Sequence, residues 1–356
     1  MRRILVYGMT ENSGGIEAYL MNYFINLDRS KIIFDFVTDC PVMAYEKEAV
    51  SLGSKIFYIP SRRENIIRHM MSIRKIVSEN GYDTVYYNIL SASAVFSMFG
   101  LFGKKGIKII THSHNNSVGN LRVHLILRPL LNFMTDKRLA CSKGAAKFMF
   151  GEKYAKSATV INNAVDTERF KFDQFVRNEV RKEFHIENRL VIGHIGRLCY
   201  QKNTLFLIDV FNEILKHNRN AVLLLVGDGE DKDAVLNKIK NLGLGKCVIM
   251  TGVRSDVHRI LQAMDLLLLP SRFEGLPVVL IEAQSSGLRC LTSSAVTKAA
   301  KVTELVQYIN LNASASFWAK RALQCARYER ADTSEEIKNA GFDIKAQAAH
   351  LQDVFL

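Results

Sequence analysis

The chain has 356 residues, which is too long for one ordinary hydrophobic core and suits two domains of roughly 150 to 200 residues each. Apolar residues make up 48% of the sequence and only 5 residues are proline, so the composition excludes a disordered or fibrous chain. The net charge is +13, and the 6 cysteines never form a C-x-x-C pair, which excludes a readable zinc site or disulfide framework.

The first half of the sequence alternates strand-like and helix-like segments. It opens with an apolar run of strand length, a turn that contains glycines, and a helical pattern over 16–27. Further short β-rich runs follow at residues 34–39, 55–60, 84–89, 107–113, 137–142 and 158–165, and helical segments such as 65–81 separate them. This alternation predicts a parallel sheet covered by helices.

The alternation stops in a polar, charged stretch and then begins again. New buried-strand runs occur at residues 190–198, 221–229, 247–253, 265–271 and 289–294. We therefore predict an α/β protein with two Rossmann-like domains, over 1–170 and 190–340, joined by a linker over 171–189. A C-terminal helix over 341–356 is expected to pack back on the N-terminal domain. In such sheets ligands bind beyond the carboxyl ends of the strands, so we expect the chemistry in a cleft between the two domains.

The strongest motif is PSRFEGLPVVLIEAQSSG in the second half. Its glutamates, Glu274 and Glu282, are eight residues apart, and Gly275, Leu276 and Pro277 form a loop-to-helix entry between them. A helix that begins near Pro277 presents unpaired N–H groups and the positive end of its dipole, which predicts an anion site. We expect Glu282 to accept hydrogen bonds from ribose hydroxyls and Glu274 to reach the hydroxyls of a sugar. The alternative is two solvated glutamates around a helix start.

The second motif is HIGRLCYQKN, at the end of the first strand of the second domain. Arg197 and Lys202 lie on this loop and can converge on phosphate groups. Arginine binds phosphate through two N–H groups and lysine as a compact charge, so the pair can neutralise a leaving diphosphate without a metal. The alternative is a pair of surface cations.

Two further strand ends lie in the first domain. Gly14 and Gly15 follow the first strand, where glycines let the backbone approach a ligand, although a purely structural turn remains an alternative. The fingerprint G-x-G-x-x-G and a Walker lysine are both missing, which argues against NAD or a P-loop. His112 and His114 close another strand, and strand alternation turns only one of the two toward the cleft. No third ligand suggests a metal role for them.

Two strand ends of the second domain complete the set. Val253 and Arg254 lie at one of these strand ends. Asp231 and Asp233 imitate a metal-binding D-x-D, but we interpret them as acids in the first turn of a helix, where the dipole favours carboxylates. We therefore predict no metal site and no cofactor.

Taken together, these motifs resemble glycosyltransferase family 4, especially the bacterial exopolysaccharide and capsule enzymes. The early Gly-Gly, the segment IGRLCYQKN, the strand end VGDG, the loop GVRSDV and the E-x7-E segment occur in the family's order, over nearly the whole chain. The resemblance implies the GT-B fold and a retaining, metal-independent transfer from a nucleotide sugar, with UDP as the expected nucleotide. The expected acceptor is a glycan that is linked to a lipid.

The resemblance also implies roles for individual residues. Arg197 and Lys202 would bind the donor diphosphate, and the loop of Gly14 and Gly15 would border the sugar and the diphosphate. The backbone of Val253 and Arg254 would pair with the nucleobase. Aligning the THSHNN segment with the family favours His114 over His112 as the histidine that contacts the donor sugar.

The charge is concentrated in the first half, where residues 1–170 hold 23 basic and 14 acidic side chains, a net charge of +9. No nucleic-acid-binding motif accompanies this charge, so an anionic membrane surface is the preferred partner. Residues 121–134 interleave Arg122, His124 and Arg128 with apolar side chains and predict a helix that lies on such a surface, with an ordinary half-buried helix as the alternative. We expect a cytoplasmic protein, peripheral on the inner face of the membrane.

Three other functions compete with glycosyl transfer. A UDP-sugar epimerase of the same fold would need acid and base carboxyl groups in the cleft. A non-enzymatic sugar-binding protein would not need phosphate-binding cations. A nucleic-acid-binding protein is favoured only by the charge. The sequence does not distinguish between sugars, because these differ by the orientation of single hydroxyls.

Overall fold

A computed structural model describes residues 1–12 and 14–356, which form two compact units. The first unit comprises residues 1–163 and 344–356, and the second comprises residues 164–343. Each unit contains one sheet whose described strand pairs are all parallel. The predicted fold class of two Rossmann-like α/β domains is confirmed.

The sheet of the first unit has seven strands in the order β3-β2-β1-β4-β5-β6-β7. These are β1 (Arg2–Tyr7), β2 (Ile32–Thr38), β3 (Ile56–Tyr58), β4 (Thr84–Ile89), β5 (Lys108–Ser113), β6 (Lys137–Ala140) and β7 (Thr159–Val160). Strands β2 and β4 are buried along their whole length, as expected for a parallel sheet with both faces covered. The strand order reverses between β1 and β4, and ligands bind at such a switch point in open α/β sheets.

Helices connect these strands. They are α1 (Gly15–Asn26), α2 (Glu46–Ser51), α3 (Ile66–Glu79), α4 (Val95–Met98), α5 (Leu121–Met134) and α6 (Lys143–Ala155). Helices α3 to α6 share one hydrophobic core with the sheet, to which Ile73, Leu131 and Met149 contribute. Asn65, Asn120 and Ser142 begin α3, α5 and α6 by accepting a hydrogen bond from a backbone N–H of the first turn.

The sheet of the second unit has six strands in the order β10-β9-β8-β11-β12-β13. These are β8 (Leu190–Ile195), β9 (Ala221–Val226), β10 (Val248–Met250), β11 (Leu266–Leu269), β12 (Cys290–Ser293) and β13 (Val306–Ile309). Its helices are α7 (Thr167–Phe170), α8 (Gln174–Glu183), α9 (Thr204–His217), α10 (Lys232–Asn241), α11 (Val257–Ala263), α12 (Val278–Ser285), α13 (Ala315–Cys325) and α14 (Ser334–Asn339). The order reverses between β8 and β11, so the loops after these two strands adjoin the switch point of this unit.

The segment expected as a linker over 171–189 is instead part of the second unit. Its charged residues form helix α8, and Arg177 and Arg181 both pair with Asp265, the latter at 2.7 Å. The division between the two units falls between Asn163 and Ala164. This polar stretch looks like a linker in the sequence because Asp265, the ion partner of both arginines, lies more than eighty residues away.

The C-terminal helix α15 (Ile344–Phe355) belongs to the first unit. It packs against α1, and the buried ring of Phe355 lies 5.6 Å from that of Phe34 and 5.1 Å from that of Tyr86. Its apolar face therefore completes the core of a sheet that begins about 340 residues earlier in the chain. In the described part of the chain, no helix combines the length and the apolar character that crossing a membrane requires.

Candidate functional site

Two loops of the second unit meet where the strand order reverses. One follows β8, and the other follows β11. The backbone N–H of Arg272 donates to the carbonyl of Gln201 at 2.8 Å, and the side-chain amide of Asn203 donates to the carbonyl of Pro270 at 3.2 Å. These bonds fix the HIGRLCYQKN loop against the beginning of the E-x7-E segment.

The two loops bring Lys202 and Glu274 together. Lys202 Nζ lies 2.6 Å from Glu274 Oε1, and the side chains are only 16% and 8% exposed. Gln201 Nε2 donates to Glu274 Oε2 at 3.1 Å and to the carbonyl of Phe273 at the same distance. The cation expected to bind phosphate and the carboxylate expected to bind sugar therefore form an ion pair, which a bound diphosphate could exchange for contacts of its own.

Glycines allow this close approach. Gly227, in the VGDG strand end, has φ +133°, and a Cβ at this position would lie 2.1 Å from the carbonyl oxygen of Gly196. A Cβ at Gly229 would lie 2.3 Å from the carbonyl oxygen of Leu198. Side chains at these two positions would displace the loop that carries Lys202.

Arg197 lies on the same loop but contacts a different partner. Its Nε donates to Glu230 at 2.9 Å, and the two side chains are 73% and 56% exposed. Among the described residues no contact joins Arg197 to Lys202 or Glu274. An exposed ion pair contributes at most about 1 kcal/mol, so an incoming phosphate can recruit Arg197 at small cost.

Helix α12 begins at Val278, with Pro277 as the preceding residue, close to the predicted position. Within residues 1–12 and 14–356, the backbone N–H groups of Leu276, Val278 and Val279 have no hydrogen-bond acceptor. Gly275, just before them, is exposed. The helix start therefore offers several free N–H donors and a positive dipole end.

Glu282 lies in the middle of α12 and is half-buried. Desolvation raises the pKa of its carboxyl to about 7, and the charge of Arg169 on α7 opposes this rise. No hydrogen bond to the Glu282 carboxylate is seen in the described part of the chain. Ligand hydroxyls that donate hydrogen bonds to this carboxyl group would stabilise its ionised form.

The loop after β10 holds Val253 and Arg254. The Val253 side chain is 79% exposed. The Arg254 guanidinium is already occupied, because it pairs with Asp256 at 2.8 Å and with Glu183 at 3.1 Å. The backbone N–H and C=O groups of Val253 and Arg254 have no partner in the described chain, so these groups are available to pair with a nucleobase.

Asp231 and Asp233 lie at the start of α10, as the N-cap residue and in the first turn. Asp228, three residues earlier, pairs with Lys232 at 2.7 Å. Across the described residues, no group of three or more His, Cys, Asp or Glu side chains is arranged to hold a metal ion.

The two histidines of the first unit have different surroundings. His112 is fully buried, its Nδ1 lies 2.5 Å from the Tyr86 hydroxyl, and burial lowers the pKa of its imidazole well below the usual value. His114 is half-buried just beyond β5, and its Nε2 lies 2.9 Å from Asn88 Oδ1. Burial lowers the pKa of His114 to about 3, so this ring is neutral. Of the two, only His114 has surface that a ligand could contact.

The glycine loop of the first unit leads into α1. A Cβ at Gly14 would lie 2.8 Å from Glu17 Oε2, whereas Gly15 has open space around it. Glu17 is itself buried, and its Oε1 accepts a hydrogen bond from the Thr10 N–H at 3.2 Å. Glu17 and Gln201 were not among the residues predicted from sequence. An acid in the first turn of a helix after a glycine loop is the signal that could have found Glu17.

Comparison with known proteins gives a consistent result. The family model described as Glycosyltransferase Family 4 matches residues 13–169, and the model described as Glycosyl transferases group 1 matches residues 176–306. The glycosyltransferase EpsF of Bacillus subtilis is 29% identical over 99% of this chain and 96% of its own length. The Escherichia coli UDP-Gal:α-D-GlcNAc-diphosphoundecaprenol α-1,3-galactosyltransferase is 29% identical over 67% of this chain and 66% of its own length.

The fold is shared with Anabaena HepE, a protein solved in complex with UDP. The TM-score is 0.82, the identity is 19%, and the match covers 100% of this chain and 99% of HepE. A second HepE structure, in complex with UDP-glucose, gives a TM-score of 0.80 with the same coverage at 20% identity. The predicted GT-B fold is confirmed by these whole-length matches.

Proposed function

We propose that this chain, which belongs to glycosyltransferase family 4, moves a sugar from a UDP-sugar to a lipid-linked glycan in exopolysaccharide or capsule synthesis. The reaction retains the anomeric configuration of the donor and uses no metal ion. One observation carries the proposal: Lys202, Glu274 and the free N–H groups at the start of α12 lie together at the strand switch point of the second unit.

The donor diphosphate is assigned to the cationic part of this site. Lys202, Arg197 and the N–H groups at the start of α12 neutralise the charge that develops on the leaving diphosphate. These groups take the place that a divalent cation holds in metal-dependent enzymes.

The rest of the donor is assigned to neighbouring groups. Glu282 accepts hydrogen bonds from the ribose, Glu274 binds the transferred sugar, and the backbone of Val253 and Arg254 pairs with the uracil. In the first unit, the family resemblance assigns His114 to the donor sugar and the loop of Gly14 and Gly15 to the border of the diphosphate. His112 is fully buried, and it supports His114 through ring stacking at 4.1 Å.

The chemical step follows from the family resemblance. The bond between the sugar C1 and the diphosphate oxygen breaks, and a bond forms between C1 and the acceptor oxygen on the same face of the sugar. The departing phosphate oxygen takes the proton of the acceptor hydroxyl. No protein nucleophile takes part, so the side chains act by binding and by stabilising charge.

Two similarities support the choice of donor and acceptor. The name of the Escherichia coli relative gives a UDP-sugar donor and an acceptor sugar carried on diphosphoundecaprenol. The HepE structures hold UDP and UDP-glucose. We extend both to this chain as expectations.

Incubation of the protein with radiolabelled UDP-glucose, UDP-galactose or UDP-N-acetylglucosamine and a bacterial lipid extract tests the proposal. Label should move into the lipid fraction from at least one donor, and NMR of the product should show the α configuration of the donor. Release of free sugar alone, or a β-linked product, would contradict the proposed reaction.

A further inference from the structure

The outer surface of α3, α4 and α5 in the first unit is apolar where a helix layer normally presents polar side chains to water. Six large side chains on this surface are between 44% and 75% exposed: Ile67, Met71, Phe102, Leu125, Ile126 and Phe133. We call these six residues the α3–α5 face. Exposed apolar patches of this kind mark interaction sites in proteins.

The face is continuous from α3, across the turn after α4, to α5. Arg74 of α3 donates to the carbonyls of Gly100 at 3.1 Å and Phe102 at 3.2 Å, which ties α3 to the turn after α4. The ring of Phe102 in turn lies 6.4 Å from that of Phe133 on α5. The exposed side chains of α3 and α5 therefore belong to one surface.

The surroundings of the face are basic. Residues 62–134 contain 10 Lys and Arg side chains and 3 Asp and Glu side chains. Arg68, Lys75, Lys105 and Arg122 are exposed beside the apolar residues. His124, which the sequence suggested as part of a basic helix face, is buried and accepts a hydrogen bond from the Ala92 N–H at 3.1 Å. The charge around the face thus comes mainly from α3 and the loop after α4.

We propose that the α3–α5 face lies on the surface of an anionic phospholipid bilayer. The apolar side chains enter the boundary between headgroups and acyl chains, and the basic side chains around them contact lipid phosphates. The charge complementarity selects a lipid surface over a second copy of this chain, because residues 62–134 hold 10 basic and 3 acidic side chains and two such faces would bring like net charges together. Binding of the first unit to such a surface can be measured without turnover.

Sedimentation with vesicles of phosphatidylglycerol and phosphatidylcholine tests the assignment. The protein should bind these vesicles, bind phosphatidylcholine vesicles more than about tenfold more weakly, and lose binding in high salt. Ile67→Glu with Met71→Glu on α3, and Ile126→Glu with Phe133→Glu on α5, should each weaken binding by more than about tenfold. Phe317→Glu, at an exposed position of the second unit, is the matched control and should bind like the parent.

Scanning calorimetry distinguishes misfolding from loss of the face, because each variant should keep the parent's melting temperature for the first unit, and each should also keep the parent's UDP affinity. Equal binding to neutral vesicles, or parental binding by the α3 variant, would overturn the proposal. A dimer in sedimentation velocity that both double variants abolish would also overturn it, since the face would then be covered by a second copy. Vesicle binding and UDP binding are separate measurements, so failure of one leaves the other interpretable.

A second observation, in the other unit, concerns Gln201. We infer that Gln201 is a positioning residue that holds the Glu274 carboxylate in place. One oxygen of that carboxylate contacts Lys202, and the Gln201 amide donates to the other oxygen at 3.1 Å. When a diphosphate draws Lys202 to itself, the Gln201 bond is the side-chain contact that still orients Glu274 toward the sugar. This inference rests on the sugar-binding role proposed for Glu274.

A double-mutant cycle tests the role of Gln201. Gln201→Ala should lower kcat about tenfold and change the UDP dissociation constant by less than about twofold, because UDP lacks the sugar that Glu274 binds. In a Glu274→Ala background the same substitution should change kcat by less than about twofold. Tyr200→Ala, which removes an exposed ring of the same loop that stacks under Arg272, is the control.

Effects of Gln201→Ala and Glu274→Ala that multiply independently would overturn this inference. Equal losses in UDP affinity and kcat would also overturn it, because they would show a general disturbance of the loop. If Glu274→Ala itself leaves turnover unchanged, the proposed role of Glu274 fails, and this outcome is visible before the cycle is completed.

Discussion

Glu274 and Glu282 lie eight residues apart but in different surroundings. Glu274 precedes α12 and is held by Lys202 and Gln201, whereas Glu282 lies within the helix and its carboxylate has no hydrogen bond in the described chain. A carboxylate that already has hydrogen-bond partners, such as that of Glu274, can exchange one of them for a sugar hydroxyl during the reaction. A half-buried carboxylate without partners is suited to holding hydroxyls that do not change during the reaction.

We therefore predict that the two glutamates divide the donor. Glu282→Ala should weaken binding of both UDP and the UDP-sugar, because both carry the ribose. Glu274→Ala should leave UDP affinity nearly unchanged and lower kcat. Each loss should amount to about 1.5 to 3 kcal/mol, or roughly one to two decades. Isothermal calorimetry and initial rates measure these effects, and equal losses of UDP affinity in the two variants would contradict the division.

A pH dependence follows from the raised pKa of Glu282, which burial moves to about 7. Ribose hydroxyls should donate to the ionised carboxylate, so donor binding favours ionisation and releases a proton. Affinity for a UDP-sugar, whose diphosphate diester does not titrate here, should therefore rise as pH increases toward 7 and level off above it, with a slope of at most about tenfold per pH unit.

Glu282→Gln supplies the control. Its affinity for the UDP-sugar should not vary between about pH 5.5 and 8, which is the interval in which the parent carboxyl titrates. The imidazoles of His112 and His114 in the first unit should not contribute, since burial lowers the pKa of His114 to about 3 and that of His112 well below its usual value. A pH dependence that persists in Glu282→Gln would show that another group is responsible.

At the scale of elements, the donor site depends on two loops that are joined by hydrogen bonds before any ligand arrives. The loops after β8 and β11 are connected by the Arg272 N–H and the Asn203 amide, and Gly227 permits their close packing. Loops that are fixed in this way hold the free N–H groups at the start of α12 in place, so these groups can stabilise charge without reorganising when the leaving group departs.

We predict on this basis that turnover is independent of a divalent cation. Lys202, Arg197 and the start of α12 supply the positive charge, so kcat should survive excess EDTA. Lys202→Ala should lower both UDP affinity and kcat by about tenfold or more, because a charged partner of the diphosphate is removed. Loss of activity with EDTA and its return with Mn²⁺ would instead assign a metal role to acids such as Asp231 and Asp233.

At the scale of the whole molecule, the chain forms two units of nearly equal length, and the first is completed by its last helix. Phe355 is fully buried and packs on Phe34 and Tyr86. Phe355→Ala should therefore destabilise the first unit by about 3 to 5 kcal/mol, through lost burial and the resulting cavity. Phe317→Ala, at a half-exposed position in α13, should cost less than about 0.5 kcal/mol.

Scanning calorimetry with and without a UDP-sugar distinguishes the two units. The donor should raise the transition of the second unit, and Phe355→Ala should lower the other transition. A single transition that both the donor and Phe355→Ala shift would show that the two units unfold together.

The sequence alone determined the two α/β domains, the strand ends that carry Lys202 and Glu274, and the family. Local signals were enough to predict these features, because the periodicity of strands and helices and the short motifs depend only on residues that are close together in the sequence. Only the tertiary structure decided which side chains meet: Arg197 with Glu230, and Lys202 with Glu274 seventy-two residues later. It also decided the burial of His112, the helix in place of a linker, and the composite α3–α5 face. Each of these depends on contacts between segments far apart in the chain, which no local pattern encodes.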